Sequence, residues 1–198
     1  MVGVLNNFSE PVITKGVAEV SRFTVSEEQA RMFNMRVLLH YGHGFERIEA
    51  GDYVRLHVGE VLMMSDTPFE RRTNEEFIRN AHGEVMIAGL GIGLLLENLK
   101  PLVAEGKVTR IVVYEKYQDV IDLVGNRYAD MPLEIRCADI MEYIPPKREK
   151  YDTLYFDIWP HACADNLKDV AILHNRWKFH KRPGGWMDSW LCKFLRKR

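Results

Sequence analysis

The fold of this chain is decided by residues 85–93, which read VMIAGLGIG. The apolar run Val85–Ala88 predicts a short buried strand, and a helix is predicted from Gly91 to about Leu99. The turn between them contains three glycines, Gly89, Gly91 and Gly93. Glycines permit a tight turn and let a ligand approach the backbone, and the helix N-terminus behind them offers unpaired N–H groups. The stretch therefore predicts a strand, a ligand-binding turn and a helix.

Strands and helices continue to alternate after this turn. The predicted strands are Arg110–Tyr114, Leu133–Cys137, Tyr151–Phe156 and Trp186–Leu191. The predicted helices are Gln118–Tyr128 and a segment from Asp165 to about Phe179. This alternation favours parallel pairing with right-handed crossovers, and near-continuous apolar strands suit a sheet that is covered on both faces. We therefore predict an α/β fold with a doubly wound, mainly parallel Rossmann-like sheet.

The beginning of the chain has another pattern and predicts a small β-rich N-terminal extension. Residues 1–25 are the least patterned part. Ser26-Glu27-Glu28-Gln29 is a capping box and predicts a helix. Two apolar runs within Tyr53–Met64 predict a hairpin around Gly59-Glu60. We expect residues 1–66 to form a helix and β-hairpin extension.

A second capping box, Thr67-Pro68-Phe69-Glu70, marks the boundary to the next domain. Thr67 can accept a hydrogen bond from the N–H three residues on, and Pro68 stands at the first helical position, where its missing N–H costs nothing. We expect a helix from Pro68 to about Ala81. Residues 67–198 are the predicted Rossmann-like domain.

Length and composition suit a single cytoplasmic enzyme with a small-molecule substrate. The chain has 198 residues, 46% of them hydrophobic and 28% charged, and a net charge of −1. These values are typical of a folded domain and argue against a surface devoted to nucleic acid. The cysteines lack paired spacing, so we expect no disulfide framework and no metal, and no apolar run is long enough to span a membrane. The basic segment Lys178–Arg198 could contact nucleic acid, but a solvated surface is the better interpretation.

An acid at the end of the next strand adds to the glycine turn. Glu115 follows the apolar run directly, where a carboxylate can accept hydrogen bonds from both ribose hydroxyls of a nucleoside. A dinucleotide-binding turn would have its third glycine or an alanine at the position of Leu94, and a P-loop would end in lysine. The sequence fits neither pattern. Two interpretations remain: the turn binds a nucleoside ligand, or its glycines only make a tight turn.

Four segments together resemble the cofactor-side motifs of class I S-adenosylmethionine-dependent methyltransferases. These segments are Gly89–Gly93, Glu115, Ala138-Asp139-Ile140 and Asp157-Ile158-Trp159-Pro160. The resemblance implies that Gly89, Gly91 and Gly93 line the methionine part of the cofactor and that Glu115 holds its ribose. It also implies that Asp139 and Ile140 flank the adenine. An Asx turn at a strand end is the alternative interpretation of Asp139.

Two subgroups of that superfamily resemble the chain in more detail. Ser65–Phe69 and Tyr151–Pro160 are similar to two segments of guanidinoacetate methyltransferase. Spermidine synthases share a β-rich N-terminal segment and an essential aspartate at the position of Asp157, but their acid-rich loop is missing here. After Gly185 only 13 residues remain, so we expect the usual last sheet strands to be lacking. The N-terminal hairpin, a second subunit, or nothing would complete that edge.

Both resemblances imply that acids hold a cationic nitrogen nucleophile. A protonated amine or guanidine has no lone pair for attack on a carbon next to a sulfonium, and a carboxylate near the site can bind the cation and take its proton. We expect Asp157 to do this with Asp66 as helper, and Trp159 and Pro160 to form an apolar wall. The predicted function is methylation of a small cationic amine or guanidine by S-adenosylmethionine. Two alternatives remain, an aminopropyltransferase using the decarboxylated cofactor and a non-catalytic nucleoside-binding module.

Overall fold

The computed structural model describes residues 1–41 and 47–190, and these form two sheets. The first sheet is antiparallel, in the order β1-β2-β3-β4. Its strands are β1 (Val12–Lys15), β2 (Ala18–Val25), β3 (Gly51–Val58) and β4 (Val61–Ser65). Helix α1 (Glu27–Tyr41) connects β2 to β3. The predicted hairpin is therefore present as β3 and β4, but it belongs to a larger sheet.

The second sheet has the order β7-β6-β5-β8-β9, and all its neighbours are parallel. Its strands are β5 (Gly83–Ala88), β6 (Val108–Glu115), β7 (Leu133–Cys137), β8 (Tyr151–Phe156) and β9 (Lys181–Ser189). The helices are α2 (Pro68–Asn80), α3 (Leu94–Ala104), α4 (Gln118–Val124) and α5 (Asn166–Trp177). This order, with the reversal next to β5, confirms the predicted doubly wound sheet.

The strand residues alternate between two apolar cores, which explains the covering of both faces. Val85 and Ile87 pack into one core together with residues of α2, α3, α4 and the N-terminal sheet. Met86 and Ala88 pack into the other core with Leu173 and Trp177 of α5. The period-2 alternation of a strand therefore sends successive residues of one apolar run into different helix layers.

The two predicted capping boxes have different outcomes. At α1 the box is confirmed, because the Gln29 N–H donates to Ser26 Oγ (3.2 Å) and the Ser26 N–H donates to Gln29 Oε1 (2.8 Å). At α2 the prediction is wrong, because Thr67 makes no side-chain capping bond. Its hydroxyl lies instead 3.2 Å from Ser65 Oγ. Pro68 does occupy the start of the helix.

The C-terminal edge and the N-terminal segment both differ from expectation. The last strand begins at Lys181 rather than Trp186, so Pro183-Gly184-Gly185 lies inside β9, where the register against β8 shifts. The N-terminal hairpin does not complete this edge, because β3 and β4 pair within a separate sheet. Among the described residues the parallel sheet ends at β9, and the predicted end of the strand at Leu191 lies outside them.

Candidate functional site

A cavity of ≈ 340 Å³ opens at the carboxyl ends of the central parallel strands. This is where open α/β sheets bind ligands, and the volume lies within the usual range of small-molecule sites. Its floor is formed by the turn after β5 and the ends of β6, β7 and β8, and its roof by β3 and β4. The predicted site residues that line it are Gly89, Gly91, Glu115, Asp139, Ile140, Asp157, Trp159 and Pro160.

The glycine turn is packed tightly against other parts of the chain. Gly89 has φ +99°, and a Cβ there would collide with the backbone oxygen of Asp157. Gly91 has φ +53°, and a Cβ there would collide with Met64 Sδ from the roof. The Ile92 N–H donates to that same sulfur at 3.4 Å. Gly93 lies behind the turn and does not line the cavity. Contacts within the protein are therefore enough to explain these glycines. The evidence for a bound ligand has to come from the cavity.

Glu115 is buried at the end of β6 and faces both the glycine turn and the cavity. Its Oε2 accepts the Leu90 N–H and its Oε1 accepts the Tyr117 N–H, each at 2.9 Å. Burial raises the pKa of this carboxyl, and the backbone N–H donors oppose that rise. A carboxylate has about four acceptor sites, so this one can still accept ligand hydroxyls while it ties β6 to the turn.

Asp139 lies after β7 with Ile140 beside it. Its Oδ1 accepts the Met141 N–H at 2.9 Å, and its Oδ2 pairs with Lys116 Nζ at 2.9 Å. Burial acts to raise the pKa of Asp139, but the bonds from Lys116 and Met141 outweigh it and the pKa is lowered. The carboxylate therefore makes an Asx-type contact with its own backbone and also lines the cavity.

Asp157 follows β8, and its N–H donates to the Ala88 oxygen at 2.9 Å. This bond places the residue beside the glycine turn at the bottom of the cavity. Burial of the carboxyl raises its pKa to about 7, while a hydrogen bond from Asn74 acts in the opposite direction. Near neutral pH the group therefore exists in both protonation states, as suits a general base.

Glu70 and Trp190 line the cavity but were not among the predicted site residues. Glu70 lies in the first turn of α2, and Trp190 follows β9. The Trp190 Nε1–H donates to Thr73 Oγ1 at 3.0 Å, and its ring meets Phe69 edge to face at 6.5 Å. In the sequence Glu70 was explained as a capping residue, which hid its position in the lining of the cavity.

The structure does not bring Asp66 to the cavity. Its carboxylate is fully buried, where Oδ1 accepts the Val54 N–H (2.7 Å) and Oδ2 accepts the Val4 N–H (2.9 Å). Arg71 lies 3.6 Å from the same Oδ2. Asp66 therefore fastens the N-terminal segment to the start of α2, and its predicted role as a catalytic helper has no support from its position.

No group of three His, Cys, Asp or Glu side chains in residues 1–41 and 47–190 is placed to hold a metal ion. Within the same part of the chain, no helix is long and apolar enough to cross a membrane. Cys137 and Cys163 are exposed free thiols. Much of the basic C-terminal segment, residues 191–198, lies outside the described residues.

Comparisons with known proteins find distant structural similarity at low identity. No family model and no curated protein matches the chain. Among solved structures, the N-methyltransferase NodS from Bradyrhizobium japonicum WM9 is 17% identical with a TM-score of 0.47, over 62% of this chain and 67% of that one. An S-adenosylmethionine-dependent methyltransferase from Clostridium acetobutylicum is 19% identical with a TM-score of 0.41, over 61% of this chain and 50% of that one.

A third similar structure is a Leishmania major S-adenosylmethionine-dependent methyltransferase, 15% identical with a TM-score of 0.47, over 61% of this chain. The match spans about half of the Clostridium and Leishmania chains. By their names, the first of these proteins is an N-methyltransferase and the other two are S-adenosylmethionine-dependent methyltransferases. At these identities and TM-scores the likeness carries no argument about function, which has to be inferred from the cavity.

Proposed function

We propose that this protein is an S-adenosylmethionine-dependent methyltransferase that acts on a small cationic amine or guanidine. The observation that carries the proposal is the cavity itself. Its lining includes Glu115 and Asp139, which we assign to the donor, and Asp157 and Glu70, which we assign to the acceptor. A nucleoside donor and a cationic acceptor can therefore be bound side by side.

The donor side offers what an adenosyl group needs. Glu115 retains acceptor capacity for ribose hydroxyls, and Asp139 and Ile140 supply an acceptor and an apolar surface for a base. S-adenosylmethionine, when bound, supplies a methyl group on a positively charged sulfur, which passes to a nitrogen lone pair and leaves neutral S-adenosylhomocysteine. The carboxylates around the cavity favour such a positively charged donor electrostatically.

The acceptor side offers a base and a binding surface. Asp157 in its ionised form attracts an ammonium or guanidinium and then takes one proton, which frees the lone pair. Its raised pKa makes that proton transfer more favourable than at an ordinary aspartate. Glu70 adds a second negative charge, and Trp159 and Trp190 offer aromatic faces to a cation.

A second candidate is transfer of an aminopropyl group from decarboxylated S-adenosylmethionine. It is favoured by the four carboxylates that line the cavity, Glu70, Glu115, Asp139 and Asp157. A donor that carries an ammonium without a carboxylate would suit these charges. The two candidates differ in donor and product, so one assay separates them.

The test is turnover of each donor with a panel of amines and guanidines, followed by mass spectrometry of the products. A mass increase of one methyl group supports the first candidate, and an added aminopropyl group supports the second. Asp157→Asn should lower the rate by about 10²–10⁴-fold and leave donor affinity nearly unchanged. Equal loss of rate and donor affinity would contradict the assigned role of Asp157. Donor binding without any turnover would indicate a non-catalytic module.

A further inference from the structure

A single arginine on α5 gathers the backbone carbonyl groups of the turn that follows β7, residues 139–143, named here the Asp139 turn. Arg176 lies in the last turn of α5 and is partly buried. Its Nη1 donates to the backbone oxygens of Ile140 (3.1 Å), Met141 (2.6 Å) and Tyr143 (3.3 Å). This nitrogen carries two hydrogens, so at least one of them is shared between two oxygens. The guanidinium is therefore a common donor for a whole turn of backbone.

The N–H groups of the same turn are bound on its other side by Asp139. The Met141 N–H donates to Asp139 Oδ1 at 2.9 Å. The N–H groups of Glu142 and Tyr143 donate to the Asp139 backbone oxygen at 3.0 Å and 2.8 Å. The turn thus has its N–H groups on Asp139 and its carbonyl groups on Arg176. Because backbone carbonyls that are shielded from water need partners, the carbonyl side of the turn depends on Arg176.

The Asp139 turn forms part of the cavity wall. Asp139, Ile140 and Met141 line the cavity, whereas Arg176 does not. Ile140 is also buried in the core beneath α5. A ligand can therefore enter the cavity without breaking the bonds of Arg176, and any influence of Arg176 on that ligand must pass through the turn.

We propose that Arg176 is a positioning residue, which holds the Asp139 turn in the shape that receives the base of a nucleoside donor. The inference rests on the proposed function for the identity of that ligand, but the holding of the turn does not need a ligand. Without the guanidinium, three backbone carbonyls lose a charged donor, and the turn can open locally at a lower free energy. The wall that carries Asp139 and Ile140 then loses its fixed place in the cavity.

The first test is amide hydrogen exchange in the ligand-free protein, followed by NMR at residues 141–143. In Arg176→Met these amides should exchange about tenfold faster than in the wild type, because the turn that protects them opens more often. Arg176→Lys keeps a charged donor but not the planar fork, and should exchange about threefold faster. Arg79→Met is the matched control, since Arg79 is an exposed arginine in the last turn of α2. Its exchange at residues 141–143 should equal that of the wild type.

The second test is calorimetric titration with adenosine and with inosine, which has an oxo group where adenosine has the amino group of its base. Arg176→Met should bind adenosine about tenfold more weakly than the wild type. Its preference for adenosine over inosine should also shrink, because Asp139, the acceptor for that amino group, belongs to the turn. A merely structural role of Arg176 would lower the free energy of unfolding and leave this preference unchanged in the folded protein.

The outcomes separate the role of Arg176 from the proposed function. Unchanged exchange at residues 141–143 in Arg176→Met would overturn the proposal, as would an equal increase throughout β7 and α5. Faster exchange with wild-type affinity and preference for adenosine would overturn it too, because the turn would then not matter to the base. If the wild type binds neither nucleoside, the donor site and the base-binding role both fail, while faster exchange would still show that Arg176 holds the turn. If Arg176→Met does not fold, Arg176→Lys decides, and wild-type exchange in that variant would overturn the proposal.

Discussion

Replacing Asp157 with asparagine should stabilise the protein at alkaline pH. The pKa of this carboxyl is about 7 in the folded protein, against an ordinary value of 3.8. Between these two pH values the folded state holds a proton that the unfolded state has released. The free energy of unfolding therefore falls as the pH rises from 3.8 to about 7, and the whole decrease is present above that range. Because asparagine cannot ionise, Asp157→Asn does not lose this free energy of unfolding.

The size of the effect follows from the shift in pKa. About three pH units correspond to about 4 kcal/mol when the shift is complete. Because Asp157 is only partly buried, solvent screening reduces this figure. We expect Asp157→Asn to be more stable than the wild type by about 2–4 kcal/mol near pH 8 and by less than about 0.5 kcal/mol near pH 4.

Urea unfolding followed by circular dichroism at several pH values measures this difference directly. Asp130→Asn is a suitable control, because Asp130 is an exposed aspartate after α4. Other titrating groups, including the buried Glu115, are present in both proteins and cancel in the comparison. A difference that does not grow between pH 4 and pH 8 would refute the account of Asp157 as a base with a raised pKa. A gain in stability together with a loss of rate would show that the site keeps a destabilising charge for its chemistry.

Two other substitutions test the packing around the cavity. Gly91→Ala should cost about 2–4 kcal/mol, because its Cβ would meet Met64 Sδ at a positive φ, whereas Gly106→Ala, also at a positive φ but in open space, should cost about 1 kcal/mol. Equal costs in urea unfolding would show that the contact with Met64 is unimportant. Asp66→Asn should cost about 2–3 kcal/mol, since an amide would face two backbone N–H groups, and should keep its rate per folded molecule. A rate loss above tenfold in folded Asp66→Asn would place that residue in the chemistry.

The parallel sheet could be predicted from the sequence because its signals are local. Strands β5 and β6 are each followed by a turn and a helix. Glu115, the last residue of β6, lies beside the glycine turn because β5 and β6 are neighbours in the sheet. Glu115 and Asp157 were found in this way, and both line the cavity. The N-terminal strands were harder to find. In β2, Ala18 and Val20 are buried and Arg22 is exposed, but this alternation is short and mixed with polar residues.

The remaining errors arose where one residue satisfied two patterns. Asp66 stood at a strand-to-helix junction similar to a catalytic segment, and only tertiary contacts with Val4 and Val54 show that it is a structural carboxylate. Glu70 fitted a capping box, although Thr67 makes no such bond. The contact of Met64 with the glycine turn could not be predicted, because a contact between a thioether and a turn 27 residues later depends on how the two sheets pack.

The central claim is that the cavity binds S-adenosylmethionine through Glu115, and calorimetric titration tests it most directly. The wild type should bind S-adenosylmethionine or its decarboxylated form. Glu115→Gln should weaken that binding by at least about tenfold with its circular dichroism spectrum unchanged. Glu105→Gln, at an exposed glutamate after α3, should bind as the wild type does. Absence of binding by either donor, or equal affinity in Glu115→Gln, would contradict the account and leave the glycine turn as an element of packing alone.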